Sequence, residues 1–134
     1  MAISYKVTPR KQPGRDAVKY YAVPVSQGYQ TLDTLAEAMA AESTVTEHDI
    51  KAVLSSLQQH VIAALKNGQS VRLGDLGSFH ATFSGEGTDT KAEYDLRRQL
   101  KSVRVQFTKS ARMMAAFRLG AGGPKFRNVE EQSE

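Results

Sequence analysis

The sequence predicts an α+β fold in which two helices precede a three-stranded antiparallel sheet with an arm insertion and a short C-terminal helix. The first observation behind this prediction is an apolar stripe of helical period over residues 50–65. The second is a strand-like alternation over residues 70–73, 78–84 and 102–107. The third is a pair of strand-like segments near the start, residues 3–8 and 20–25, which predict extra N-terminal strands.

The N-terminal segment alternates as a half-buried strand does, with Ile3, Tyr5 and Val7 on one side and polar residues between them. A turn follows at Pro13–Gly14. The second segment, YYAVPV, is aromatic and β-branched, but Pro24 lacks the N–H group that a central strand needs. We therefore expect this strand at a sheet edge, or Pro24 at its end.

Two helices are predicted next. Leu32, Leu35, Ala36 and Met39 have helical spacing over residues 31–42, and Thr31 is a suitable N-cap. The second helix is predicted to begin after Thr46, with acidic residues in its first turn, and to end at Asn67–Gly68.

A hairpin follows, with a turn bracketed by Gly74 and Gly77, whose role is more simply conformational than ligand-binding. After the third strand, residues 108–119 predict a closing helix. The arm between the strands, residues 84–101, begins with turn residues and then predicts a short helix with a Glu93–Arg97 pair. The organisation is thus an N-terminal β extension (1–30), a main domain (31–120) and a loose tail (121–134).

Charge is distributed unevenly along the 134 residues. Residues 1–30 carry five cations against one acid, residues 31–70 two against five, and residues 71–128 eleven against five. A basic segment beside an acidic one is typical of a protein with one face toward a polyanion, although random surface variation remains an alternative. The chain has no cysteine, signal peptide or transmembrane stretch, so we expect a soluble, cytoplasmic protein.

The order of these elements resembles the HU/integration host factor family of bacterial histone-like DNA-binding proteins. The stretch NGQSVRLGDLGSF after the long amphipathic helix carries the resemblance most specifically, and VRVQFTKSARMMAAF rejoins it after the arm. The similarity covers residues 31–119. The extended N-terminus is similar to that of the longer HU-related proteins of Bacteroides-type bacteria.

The resemblance implies an intertwined homodimer whose sheets form a saddle and whose arms embrace DNA in the minor groove. The residues agree, because the stripe over 50–65 is longer than one short helix can cover. The expected dimer interface comprises Ile50, Val53, Leu54, Leu57, Val61, Ile62 and Phe79.

Two departures from the family bear on how DNA is held. The arm of the family usually carries a proline at its tip, and no proline occurs here from Val25 to Gly123. The arm also contains four acidic residues. Sharp kinking by a proline wedge is therefore in doubt. Tyr94 and Leu96 could act as wedges instead, or could pack the arm on its own body.

The expected DNA-binding residues fall into three groups: Arg72 and Arg104 on outward strand positions; Lys91, Arg97, Arg98 and Lys101 on the arm; and Lys109, Ser110 and Arg112 at the start of the last helix. Each group also has a structural interpretation. The strand arginines could be ordinary solvated charges, the arm residues an exposed basic helix face, and the residues at the last helix a simple helix cap. Lys6, Arg10, Lys11 and Arg15 are either a second electrostatic contact or a solvated tail.

Sequence-tolerant binding of double-stranded DNA, with a role in nucleoid organisation, is the leading functional hypothesis. The alternative is an HU-like protein-interaction module that has lost DNA. The three histidines are widely separated, and no phosphate loop or nucleophile motif occurs, so we expect no enzyme activity, metal, cofactor, small-molecule substrate or membrane contact.

Overall fold

The structure, a computed structural model, describes residues 1–14 and 16–130. The chain divides into two units, one formed by Met1–Thr31 with Ala116–Glu134 and the other by Leu32–Ala115. Arg15 and the last four residues of the predicted tail lie outside the described residues.

The first unit contains a three-stranded sheet. Strand β1 (Ile3–Lys11) pairs antiparallel with β2 (Val18–Pro24) through a turn in which Gly14 has φ +80°. The third strand, β6 (Phe126–Asn128), pairs parallel with β1. The predicted N-terminal strands are confirmed, and β2 is an edge strand that ends at Pro24. The expectation of a loose tail over residues 121–134 is wrong for residues 126–128, because β1 offers them an unpaired edge.

The second unit begins with two helices, α1 (Leu32–Ala41) and α2 (Glu47–Lys66). The hydroxyl of Thr46 accepts a hydrogen bond from the N–H of Asp49 at 3.2 Å, which confirms the predicted N-cap. Asn67 caps the other end, and Gly68 follows with φ +81°. Lys51 contacts Glu47 at 3.1 Å; this hydrogen bond raises the pKa of Lys51 above its ordinary value, and Asp33 on α1 lies 3.7 Å away.

The sheet of the second unit has the order β3-β4-β5, with β3 at Val71–Arg72, β4 at Gly77–Gly85 and β5 at Leu100–Lys109. This confirms the predicted antiparallel sheet. A short helix, α3 (Leu96–Gln99), lies within the arm, and α4 (Ala111–Ala116) closes the unit. Helix α4 begins later than predicted because Thr108 pairs with Ser78, and Lys109 with Gly77, as part of β5. It also ends at Ala116, three residues before the predicted end at residue 119.

The arm differs from its prediction in two respects. Its helix is one turn long and begins after Asp95, whose carboxylate accepts a hydrogen bond from the N–H of Arg97. The ion pair formed there joins Arg98 to Asp95, rather than Arg97 to Glu93. Asp95 is an effective N-cap, and its capping position determines where the helix begins.

Gly77 lies where the backbone of β4 closely approaches that of β5. A Cβ atom at this position would lie 2.2 Å from the carbonyl oxygen of Thr108 and 2.6 Å from the ring of Phe107, and φ is +154°. We expect Gly77→Ala to lower the free energy of unfolding by about 1–3 kcal/mol, as overpacking does elsewhere. Urea unfolding would measure it. Gly87→Ala is the control, since a Cβ there meets no atom within 4 Å. Equal midpoints for the two variants would contradict the close approach.

Apolar side chains of the described residues remain largely exposed. Ala36 and Ile50 are the hydrophobic residues that are buried, and many others have more than half of their surface accessible. No helix within residues 1–14 and 16–130 is long and apolar enough to cross a membrane.

Candidate nucleic-acid interface

The β3-β4-β5 sheet has one face built from polar side chains, here called the polar face. Side chains alternate along each strand, so the pairings Arg72–Ser78, Ser78–Thr108 and Thr82–Arg104 place these residues on the same side. Arg72 and Arg104, predicted on outward positions of separate segments, therefore share a face. Their partners on β4, Ser78 and Thr82, are four positions apart, which corresponds to about 13 Å along the strand.

The electrostatics of the polar face are one-sided. None of the three strands contains an aspartate or glutamate. Arg72 and Arg104 are exposed, and neither forms an ion pair with an acid of residues 1–14 or 16–130. Two guanidinium groups that form no ion pair with a described acid can donate to phosphate oxygens without first breaking such a pair.

The opposite face of the same sheet is apolar. Phe79 and Phe107 contact each other with ring centroids 5.0 Å apart, and an open groove lined by Leu57, Ile62 and Phe79 lies between α2 and this end of the sheet. Farther along the strands, Phe83 is 70% exposed and Val105 is 59% exposed. Helix α2 thus covers only part of this apolar face.

Four of the residues predicted for the dimer interface line that groove: Leu57, Val61, Ile62 and Phe79. Ile50 is buried, and Leu54, Val61 and Phe79 are half-buried. Val53 and Ile62 are 66% and 57% exposed in the single chain, respectively. The stripe therefore has an inner part that packs within the unit and an outer part that faces solvent.

The arm, residues 84–101, has no net charge. Its four acids, Glu86, Asp89, Glu93 and Asp95, equal in number its four predicted DNA-binding cations. Two of these cations are paired within the arm, Lys101 with Glu86 at 2.9 Å and Arg98 with Asp95 at 3.8 Å. Lys91 and Arg97 have no such ion pair with a described acid. All of these side chains are exposed, so both ion pairs are weak and a phosphate can replace the carboxylate.

The start of α4 is organised by Ser110 and Asp75. The hydroxyl of Ser110 accepts a hydrogen bond from the N–H of Met113 at 3.0 Å and donates to the carbonyl of Asp75. Arg112 forms a 2.7 Å ion pair with the carboxylate of Asp75. These contacts favour the capping alternative for Ser110 and give Arg112 an internal partner. Asp75 was missed as that partner, because 37 residues separate it from Arg112 and no local pattern links them.

Strand alternation also separates Lys109 from the other predicted residues. Lys109 pairs with Gly77 and lies on the same side of the sheet as Phe107, whereas Arg104 lies on the opposite side. The structure therefore brings Arg72 and Arg104 together, and it places Lys109 at the end of β5 on the apolar side.

Comparison with known proteins agrees with this architecture. The chain matches one family model over residues 1–120, that of the HU domain fused to a wHTH, Ig or glycine-rich motif. It also superposes on a crystal structure from Bacteroides vulgatus, of a bacterial protein to which DNA binding is provisionally ascribed, with a TM-score of 0.62 and 16% sequence identity. The match covers 94% of this chain and 47% of that one, so the chain spans about half the length of its structural relative. No curated protein matches the sequence.

The identity to the solved structure is low, so that likeness concerns the fold alone. The family model covers most of the chain and includes both the N-terminal strands and the sheet with its polar face. The chain belongs to the HU-HIG family, whose members carry an HU domain fused to a wHTH, Ig or glycine-rich motif.

Proposed function

We propose that this chain is a histone-like architectural protein that binds double-stranded DNA with little sequence preference, as a homodimer, and contributes to organising the bacterial nucleoid. The polar face carries the proposal, because its strands contain no acid and Arg72 and Arg104 form no ion pair with an acid of the described residues. A basic sheet surface of this kind attracts a polyanion, and membership of an HU-domain family makes duplex DNA the polyanion that fits best.

The proposed mechanism is electrostatic. Arg72 and Arg104 bind phosphate oxygens and release counterions, and Lys91 and Arg97 add contacts from the arm. Arg98 and Lys101 exchange their carboxylates for phosphates. Lys109, Ser110 and Arg112 are peripheral, because two of them already have partners within the protein. Contacts to the backbone carry no base information, so the binding is tolerant of sequence.

Dimerisation is part of the proposal because the single chain leaves so much apolar surface in water. Burial of apolar surface stabilises a protein by about 25 cal/mol for each Å². Val53, Ile62 and Phe83 are exposed in the single chain, so covering them with a second copy would add this stabilisation. A second copy of the same sheet and helix offers a complementary apolar surface. The proposed interface contains Val53, Leu54, Leu57, Val61, Ile62 and Phe79, and Ile50 supports it from within the unit, where it is already buried.

Little bending of DNA is expected, since the arm has no proline wedge and no net charge. Fluorescence energy transfer between dyes at the two ends of a duplex of about 35 base pairs would report the end-to-end distance. We expect it to change little when saturating protein is added. A shortening typical of a sharp kink would contradict this prediction and implicate Tyr94 or Leu96, which are 44% and 52% exposed. The variants Tyr94→Ala and Leu96→Ala would then separate the two wedges.

A protein-interaction module is the second candidate, and one observation favours it. An arm whose cations are balanced by acids suits a protein partner at least as well as DNA. The edge strand β2 could also pair with a strand of such a partner.

Titration of the purified protein with linear, nicked and four-way DNA, each at two salt concentrations, tests the proposed function. We expect binding of all three forms at low salt, weakening steeply as salt rises. Absence of a gel shift and of heparin retention at low salt would favour the protein-interaction module.

A further inference from the structure

The N-terminal sheet has a basic face of its own. Its three strands contain Lys6, Arg10, Lys11, Lys19 and Arg127 and no acidic residue. The register pairs Arg10 with Lys19 and Ser4 with Arg127, and residues of even number on β1 share one side. Four of the five cations therefore lie on one face, and we call Lys6, Arg10, Lys19 and Arg127 the basic face.

All four side chains of the basic face are exposed, and none forms an ion pair with a described acid. Arg127 is oriented by a hydrogen bond from its guanidinium to the hydroxyl of the buried Ser4 at 3.2 Å. From Ser4 to Arg10 the face extends about 20 Å along β1, which equals the rise of about six base pairs.

The pairing of Arg10 with Lys19 places two positive charges directly opposite each other on neighbouring strands. Like charges directly opposite on neighbouring antiparallel strands repel each other and destabilise the sheet. No acid on these strands relieves the repulsion. An anion bound between the two side chains would relieve it, so the arrangement is better suited to a bound polyanion than to an empty surface.

The opposite face of this sheet indicates which polyanion is favoured. Ile3, Tyr5, Val23 and Phe126 line an apolar groove together with Ala22 and Pro24, and all of these except Val23 have the parity opposite to the basic face. A surface that binds a lipid bilayer combines its cations with apolar side chains that insert beside them. Most of the large apolar groups of this sheet lie on the side opposite the cations, and Tyr21 and Val23 are the exceptions that share the basic face. This separation favours a phosphate backbone over a membrane.

We propose that the basic face of the N-terminal sheet is a second binding surface for the phosphate backbone of duplex DNA, in addition to the polar face of the HU sheet. The proposal rests on the proposed DNA-binding function and adds a separate set of residues to it. Lys6 and Arg10 on β1, Lys19 on β2 and Arg127 on β6 each bind a backbone phosphate. Sequence reasoning considered Lys6 and Arg10, but not Lys19 or Arg127, because only strand pairing brings these onto the same face.

Lys6 and Lys11 provide a matched test, because they lie on the same strand, carry the same charge and occupy opposite faces. For the full-length protein, Lys6→Gln should flatten the slope of log K against log salt by about 0.9 per chain, and Lys11→Gln should leave it unchanged. Over a fourfold salt range, 0.9 units correspond to about a 3.5-fold change in affinity. The fourfold variant Lys6→Gln/Arg10→Gln/Lys19→Gln/Arg127→Gln should lose several such units while retaining the circular dichroism of the wild type.

Fluorescence anisotropy with a duplex of about 30 base pairs gives the affinities. Equal slopes for Lys6→Gln, Lys11→Gln and the wild type would overturn this inference and leave the proposed function standing. A wild type that does not bind duplex at all would overturn both. If the fourfold variant loses binding to vesicles containing anionic lipid but binds duplex as the wild type does, this inference is also overturned and the basic face is assigned to a membrane. An Arg72→Ala/Arg104→Ala variant that keeps the Lys6-dependent part of the slope supports two separate surfaces.

Discussion

Leu57→Asp should abolish the folded dimer. Leu57 is 43% exposed in the single chain and lines the groove beside Phe79, where the proposed partner chain would cover it. A carboxylate in a desolvated interface without a counter-charge costs several kcal/mol, which is a large part of the stability of a domain of this size. Sedimentation velocity should show monomer, and circular dichroism should show partial or complete loss of helix.

The matched control for this substitution is Gln59→Asp, which puts the same side chain on the same helix two residues later, on the side away from the stripe. We expect it to remain dimeric. A second measurement does not depend on a variant: the melting temperature of the wild type should rise with chain concentration, as it does for obligate dimers. A folded, fully dimeric Leu57→Asp protein, or a melting temperature independent of concentration, would count against this interface.

Arg104→Ala should weaken DNA binding and reduce its salt dependence. Each phosphate contact contributes about −0.9 to the slope of log K against log salt, and a dimer would make each contact twice. We therefore expect the slope to flatten by about two units, for all sequences alike, because a backbone contact distinguishes no bases. Affinities measured at four or more salt concentrations on two unrelated duplexes would give both results.

Lys66→Ala is the charge-matched control, since Lys66 lies in the last turn of α2 and is absent from the polar face. It should leave the slope unchanged. A loss confined to one of the two duplexes would indicate base readout by Arg104. If Arg72→Ala, Arg98→Ala and Arg104→Ala combined in one protein leave the slope unchanged, the polar face does not bind DNA and the protein-interaction module becomes the better hypothesis.

The sheet is expected to contribute more to DNA affinity than the arm, because two cations of the arm already have carboxylate partners. Carboxylates of Glu86 and Asp95 already lie within 4 Å of two arm cations, so a phosphate that binds there replaces an existing partner. Arg72 and Arg104 have no such partner among the described residues. A new contact at an unpaired cation contributes more to affinity than an exchange of one anion for another.

The sequence by itself predicted the helices, the strands of the HU sheet and the alternation of each strand, because these features depend on residues that are close together in the sequence. Thr46 caps α2, Gly68 ends it, and residues 78–84 and 102–107 alternate strictly. The same alternation was enough to predict that Arg72 and Arg104 point away from the apolar residues.

Tertiary structure alone decided which residues share a surface. Strand β6 and the position of Arg127 beside Ser4 depend on pairing across more than 120 residues, for which a single sequence contains no local pattern. Residues 108 and 109, predicted as the start of the last helix, instead extend β5 and pair with Ser78 and Gly77. Arg112 forms its ion pair with Asp75, in the turn between β3 and β4. These features arise from the register between distant strands, and register is set by the packing of whole faces rather than by any one residue.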